Sequence, residues 1–391
     1  MPIQIVIDDV GWWCGADDHV ANGPYRTGIQ RDHCLDDYEA IAYLGRELGV
    51  RPLAAMVLAE WDTENILKEF PSATWMGERW DNSRWVGPWL GEAAEIINGN
   101  REHFELALHG LGHEYWDNGR MSRAQWFDGQ GNMRPEGHVR RGIDYFARIM
   151  DQHDLGPFPE TFVPTAFYHC FGIPDGGFIS ILKQAGINFI STVFDNPGLQ
   201  MPRHRPTEYD RIGFDEGIIT VDRGEDLFDW TIIGQKPNPE TLLQSPICGM
   251  HWPNILHEKP ERNKEIVDSW IAYLRQCDRQ YYMILSPNYK SFCVQLLFHQ
   301  MVSVTLNHNT LELNFSNYRY WPGYGLDNKA LNIKAVLSES VSFDSSDLDI
   351  LAVEKTIDAG HHIYLITLKL LPDFTDRIAN GDALTIRLQT G

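Results

Sequence analysis

The sequence predicts an α/β protein: a distorted (β/α) barrel of seven or eight strands over residues 1–300, with an appended C-terminal all-β sandwich over 301–391. Three observations carry this. Apolar β-type runs alternate with helical patterns of about 10–15 residues through the first three quarters of the chain, as βαβ units around a parallel sheet do. Seven or eight such units suit a closed barrel better than an open doubly wound sheet, and no GxGxxG follows the first strand to support dinucleotide binding. Beyond Met301 the texture changes to short alternating runs separated by turn residues such as Asn307-His308-Asn309 and Asp358-Ala359-Gly360, as in antiparallel sandwiches.

In order, strands are expected at Ile3–Ile7, Pro52–Leu58, Phe104–Leu108, Thr161–Val163, Phe189–Thr192, Ile218–Val221, Ile247–Met250 and Tyr281–Leu285. Helices are expected at Leu35–Leu48, stopped by Gly49, at Gly137–Met150 after Pro135-Glu136, and at Phe178–Ala185, stopped by Gly186. Two more follow at Glu261–Gln276, after Pro260, and Tyr289–Gln300. Glycine ends helices because it tolerates left-handed backbone, and proline suits their first turn. The segments Asp62–Gly91 and Asp195–Gly217, rich in Trp, Pro, Asn and charges, read as long rim loops. The C-terminal runs are Val302–Leu306, Thr310–Phe315, Ala330–Val336, Ile350–Lys355, His362–Leu370 and Ala383–Leu388.

Composition narrows the function. At 43% hydrophobic, with 18 Phe, 15 Tyr and 13 Trp in 391 residues, the chain can bury a sizeable core. A formal charge of −21 disfavours nucleic acid and anionic membrane as partners, since phosphate binding needs local positive charge. No apolar run approaches the roughly 20 residues of a membrane helix, and Met1–Ile7 reaches Asp8-Asp9 without a basic segment or cleavage site. A cytoplasmic chain is therefore expected, unless a leader precedes it. The six cysteines show no CxxC pair and read as reduced thiols.

Polar residues fall where a parallel barrel would gather them. Asp8 and Asp9 end the first strand, and His109 and His113 follow Glu105–Leu108. Tyr168 and His169 follow Thr161–Val163, Asp222 and Arg223 end Ile218–Val221, and His251 ends Ile247–Met250. All of these strand ends would open on one face. Two imidazoles four apart can reach one metal ion from a single helical turn, with a carboxylate from elsewhere completing a zinc set. The same histidines could instead be hydrogen-bonded rim residues. Adjacent carboxylates are costly to bury together unless a cation neutralises them, although acids also cap turns after strands. Neighbours on an extended chain diverge, so one carboxylate can bind metal while the other stays free as a base.

In these residues and their order, 1–300 resembles a polysaccharide deacetylase of the NodB-like type. Ile7-Asp8-Asp9-Val10-Gly11 resembles the family's strand-one acidic motif, His109-Gly-Leu-Gly-His113 its HxxxH, Cys248-Gly-Met-His251 its late histidine motif, and Leu227-Phe228-Asp229-Trp230 an Asp-Trp motif. The resemblance implies Asp8 as catalytic base, Asp9, His109 and His113 as ligands of Zn²⁺ or another divalent metal, and His251 as catalytic acid. It implies a metal-dependent hydrolase that removes an N- or O-acetyl group from a carbohydrate. Val10 stands where the family usually has Gly, and Val163-Pro164 lacks the family's preceding Arg; Arg223 is the candidate substitute. Trp12, Trp13, Trp116 and Trp252 lie within four residues of these positions and could stack on sugar rings. With Tyr168 and Arg223 they form the expected substrate-binding set. The alternatives are a carbohydrate-binding pseudoenzyme and a glycosidase, for which Glu60 and Asp222 are the further strand-end carboxylates.

Overall fold

The computed structural model describes residues 1–172, 177–195, 207–224, 228–280, 282–321, 326, 329–372, 374, 377 and 383–390. It is a mixed α/β protein in two compact units. One comprises Gln4–Arg275 with Pro287–Tyr289; the other comprises Met1–Ile3, Gln276–Ser286 and Lys290–Gly391. This division places the last helix of the first 300 residues, Tyr289–Met301, almost wholly with the C-terminal strands.

The larger unit is built on a curled, open sheet. Its parallel strands run in the order Ile247–His251, Pro2–Val10, Leu53–Val57, Glu105–Gly110, Thr161–Phe162, Phe189–Thr192 and Ile218–Asp222. Beyond Ile218–Asp222 the sheet continues with two antiparallel strands, Ile212–Asp215 and Thr207–Tyr209. Among the described residues no pairing joins Ile218–Asp222 to Ile247–His251, so the half-barrel stays open where a closed barrel was expected. The first strand explains why the sheet forms here. Ile3, Ile5, Val6, Ile7 and Val10 are all at most 1% exposed, so both faces are covered, as parallel sheets require. Each such side chain contributes roughly 1.5–3 kcal/mol by burial.

The helices match their punctuation. Leu35–Leu48 begins at Cys34, whose backbone N–H donates to Asp37, and ends at Gly49 with φ 67°, a left-handed cap. Asp37 also accepts from Arg31, His33 and Asn263, and His33 meets Thr27 at 2.7 Å, clasping the preceding loop to the helix. Glu136–Gln152, Phe178–Gln184 and Asn263–Arg279 follow within a few residues of expectation. The segment expected as a rim loop over 62–91 instead leads into a helix, Pro88–Gly99, which opens with proline at its first position. The second expected loop carries the antiparallel strands named above; its residues 196–206 lie outside those described, as do Leu227 and Tyr281.

In the smaller unit Tyr289–Met301 precedes two antiparallel sheets. Four strands run in the order Ser303–Asn307, Thr310–Asn314, Leu384–Thr390 and Val341–Asp344; three run in the order Ala330–Leu337, His361–Leu370 and Leu348–Asp358. Val341–Asp344 was not expected, since its sequence VSFD is too short and polar to stand out. No helix among the described residues is long and apolar enough to cross a membrane.

His138, in the helix Glu136–Gln152, makes the fold pH-sensitive. It is buried with Nδ1 2.9 Å from Ser72 Oγ, and burial, helped by the charge of Arg134, pulls its pKa down to about 3. Between about pH 6.5 and 3 the unfolded chain binds a proton here that the folded chain refuses, so stability falls as pH falls. Going from pH 7 to 5 should cost about 2 kcal/mol through this residue. Urea unfolding at both pH values should show a smaller loss in His138→Gln by that difference.

Candidate functional site

The parallel register delivers the site. Asp8 lies beside His251 in the pairing of Pro2–Val10 with Ile247–His251, and His109 stands near the end of Glu105–Gly110 two strands away. All three line one cavity of about 350 Å³, with Asp9, His113, Tyr25, Arg26, Arg123, Ala166, Phe167, Tyr168, Val193 and Trp230.

Asp8 and Asp9 are separated by the backbone. The register with Leu53–Val57 shifts between Ile7 and Val10, and Asp9 has φ 63°. A non-glycine residue in the left-handed region is strained, and such strain persists where the surroundings enforce it. Gly11 completes the distortion at φ 121°; a Cβ there would lie 2.2 Å from the Val57 carbonyl oxygen, so only glycine fits.

Asp8 turns to Arg223. Nη1 donates to Oδ1 at 3.1 Å, and Nη2 lies 3.0 Å from Oδ2, with both side chains at most 2% exposed. Arg223 is itself 4.7 Å from the Phe167 ring centroid and does not line the cavity. The expectation that Arg223 touches substrate is therefore corrected: it sits behind Asp8 and holds it. A guanidinium fork fixes a carboxylate in both charge and orientation.

Asp9 turns instead to the histidines. Its Oδ1 is 3.3 Å from His109 Nε2 and 3.9 Å from His113 Nε2. His109 Nδ1 lies 2.7 Å from the Val163 carbonyl oxygen and donates to it, so the neutral ring presents a lone pair at Nε2. Asp9 Oδ1 is buried without a hydrogen-bond donor, so against the neutral ring acceptor faces acceptor, and either a proton on Nε2 or a bound cation must lie between them. A cation resolves that arrangement. Four ligands about 2.0–2.1 Å from a tetrahedral ion stand about 3.3 Å apart, close to the observed separations. Asp9, His109 and His113 form a buried triad that could hold a metal ion.

His109 and His113 do not share a helical turn, as their spacing suggested. His109 is in a strand, and His113 follows in a bend at φ 63°. Gly112 permits the bend, since a Cβ there would lie 2.5 Å from the Ala73 carbonyl oxygen. Trp126 Nε1 donates to the His109 carbonyl at 2.7 Å, and Gln125 Oε1 accepts from Leu111 N at 2.8 Å, pinning the bend from the far side.

Burial disfavours charge throughout the triad. It pushes the Asp9 carboxyl up, but the His109 contact and the imidazole charges outweigh it and hold the group well below the usual carboxylate range. Burial pulls His113 down to about 3, leaving it neutral. For His109, burial opposes the proton, yet the Asp9 partner prevails and raises its pKa. Next to His113, burial pushes Glu114 up to about 8; its Oε1 accepts from Tyr25 N at 2.7 Å.

His251 is half-buried on the cavity wall, with Nδ1 3.0 Å from the Phe228 carbonyl oxygen, which leaves Nε2 as its free nitrogen. Asp222 and Asp229 do not bind its ring: Asp222 pairs with Arg211 at 2.7 Å, and Asp229 caps Thr231. His169 packs against the rings of Phe127, Phe162, Phe171 and Phe178 and is 3.9 Å from Asp215, outside the cavity lining.

No protein-family model matches the chain, and no curated protein matches it.

The four expected indole contacts need correcting. Trp12, Trp13, Trp116 and Trp252 are between 0% and 6% exposed and are not among the cavity residues. Trp12 covers the Arg26 guanidinium at 3.9 Å, Trp13 packs with Tyr38, Trp61 and Trp89, Trp252 stacks on His33 at 4.1 Å, and Trp116 is buried in a hairpin strand. Their area is used in packing because it lies beneath the strand ends. Tyr168 does line the cavity, joined by Tyr25 and Trp230, whose rings are 5.9 Å apart. Trp230 had a signal in the Asp229-Trp230 pair; Tyr25, Arg26 and Arg123 had none.

Metal analysis after dialysis against excess Zn²⁺ should find about one ion per chain, and well below that in Asp9→Ala, His109→Ala and His113→Ala. Arg223→Met should lose about 3–5 kcal/mol of stability, because it leaves Asp8 buried and unpaired. The double variant Asp8→Leu/Arg223→Met should recover much of that loss in urea unfolding.

Proposed function

We propose that this protein is a metal-dependent hydrolase that removes an N- or O-acetyl group from a carbohydrate, as its resemblance to NodB-like polysaccharide deacetylases implies. In this reading the open sheet is a distorted form of that family's barrel, and the smaller unit is its appended sandwich. The observation that carries the proposal is the division of labour between two adjacent carboxylates: Asp8 lies on Arg223 and Asp9 on His109 and His113, around one cavity with His251.

When bound at Asp9, His109 and His113, Zn²⁺ or a similar divalent ion supplies Lewis acidity and a lowered pKa for water. Asp8 takes the proton of the attacking water. Arg223 keeps Asp8 aimed, by donating from Nη1 to Oδ1 behind the cavity wall. His251 gives a proton from Nε2 to the leaving group, while the Phe228 carbonyl accepts from Nδ1 and orients the ring. Tyr168 and Trp230 offer ring faces to a sugar.

Two observations favour this over the alternatives. Glu60 is fully buried and taken up by Arg26 and the Trp13 and Cys14 N–H groups, and Asp222 is held by Arg211; neither lines the cavity as a glycosidase pair would require. The guanidinium missing before Pro164 is supplied on Asp8 by Arg223, against a disabled site.

Acetate release from acetylated mono- and oligosaccharides tests the proposal. Asp8→Asn should keep metal and melting temperature yet lose most hydrolysis, because an amide matches the carboxylate in size but cannot take a proton. His251→Ala should cut turnover by about 10²–10⁴ with metal retained. Full activity in Asp8→Asn would overturn the mechanism at its central step.

A further inference from the structure

The cavity wall carries a guanidinium without a carboxylate partner, inside a chain of net charge −21. Three arginines stand at or behind it, and two are neutralised by buried carboxylates. Arg223 is paired with Asp8, and Arg26, 3% exposed, pairs with Glu60 at 2.8 Å. Arg123 follows the hairpin strand Arg120–Ser122, lines the cavity, and is exposed. Among the described residues it has no carboxylate partner. Its guanidinium lies over the Tyr25 ring, 5.6 Å from the centroid, and His19 stacks on that ring at 4.4 Å, so Tyr25 positions the charge at the cavity wall. Arg26 lines the same cavity with a buried Nε–H that has no acceptor.

An unpaired guanidinium at a cavity wall is out of place in a protein with 54 acidic and 33 basic residues, where the average surface repels anions. A neutral sugar would make no use of that charge. A carboxylate matches the planar donor fork of arginine and gains a charge-assisted hydrogen bond.

We propose that the sugar bound in this cavity is anionic, carrying a carboxylate that Arg123 binds while Trp230 covers the ring. This rests on the hydrolase reading and names its substrate class: an acylated acidic sugar, of the uronic acid type. Arg123 is then a specificity-determining residue, outside the proton-transfer machinery.

Binding, which requires no turnover, tests it. Methyl β-glucuronoside, glucose 6-phosphate and neutral methyl β-glucoside would be titrated into the full chain by calorimetry, for the wild type and Arg123→Gln. The glucuronoside should bind about tenfold tighter than the glucoside at low salt. That advantage should shrink as salt rises and fall to within about twofold in Arg123→Gln, at an unchanged melting temperature. Equal binding of the two sugars, or an advantage that survives in Arg123→Gln, would overturn the proposal. Preference for the phosphate alone would overturn the carboxylate assignment. Failure to release acetate from acetylated sugars would count against the hydrolase reading and leave this binding comparison intact.

Discussion

Two carboxylates in succession at the end of an apolar strand set the terms for the rest of this structure. Asp8 and Asp9 leave a strand whose apolar side chains are sealed on both faces, and two negative charges there must be compensated separately. The backbone does this by a bulge and a left-handed residue at Asp9, which send one side chain to a guanidinium and the other to a pair of imidazoles. Everything else at the strand ends follows. Arg223 must come from the far side of the sheet, His109 must donate through Nδ1 to expose Nε2, and His113 must bend out of line to meet the same oxygen.

The surrounding aromatic shell serves that arrangement indirectly. The Arg26 guanidinium lies between the rings of Trp12 and Trp75, at 3.9 and 4.5 Å, and spans to Glu60. Glu60 in turn accepts the Trp13 and Cys14 N–H groups, which would otherwise be buried without partners. This network fixes the segment that presents Tyr25 to the cavity. Rigid support beneath a site leaves less to be ordered when a ligand binds.

Much of this was legible in the sequence, for reasons that differ by element. Parallel strands are written as continuous apolar runs, and polar residues immediately after them stand out; hence Phe189–Thr192 and the placement of Asp8, His109 and His251 agree with the structure. Helix Leu35–Leu48 was bounded by Gly49. The sequence did not disclose the helix Pro88–Gly99, whose start is hidden in a Trp-rich stretch, or the open gap beside Ile218–Asp222, since pairing between distant strands leaves no local mark. Proximity in sequence misled at the indoles: Trp12, Trp13 and Trp252 neighbour site residues, yet beyond the strand ends their side chains turn inward onto Arg26, Tyr38 and His33. Arg223 was found at its strand end, but its partner was a matter of tertiary geometry.

The Asp8–Arg223 contact joins positions 215 residues apart in the chain. Of the two, the acid is synthesised first, and its strand pairs with Leu53–Val57 on one side and Ile247–His251 on the other. Loop closure over such a span is slow compared with local helix formation, so the nascent chain carries this strand without its Ile247–His251 neighbour while most of the unit is made. The carboxylate that the finished site holds on a guanidinium is therefore a contact the chain can complete only late, once residue 223 has been made.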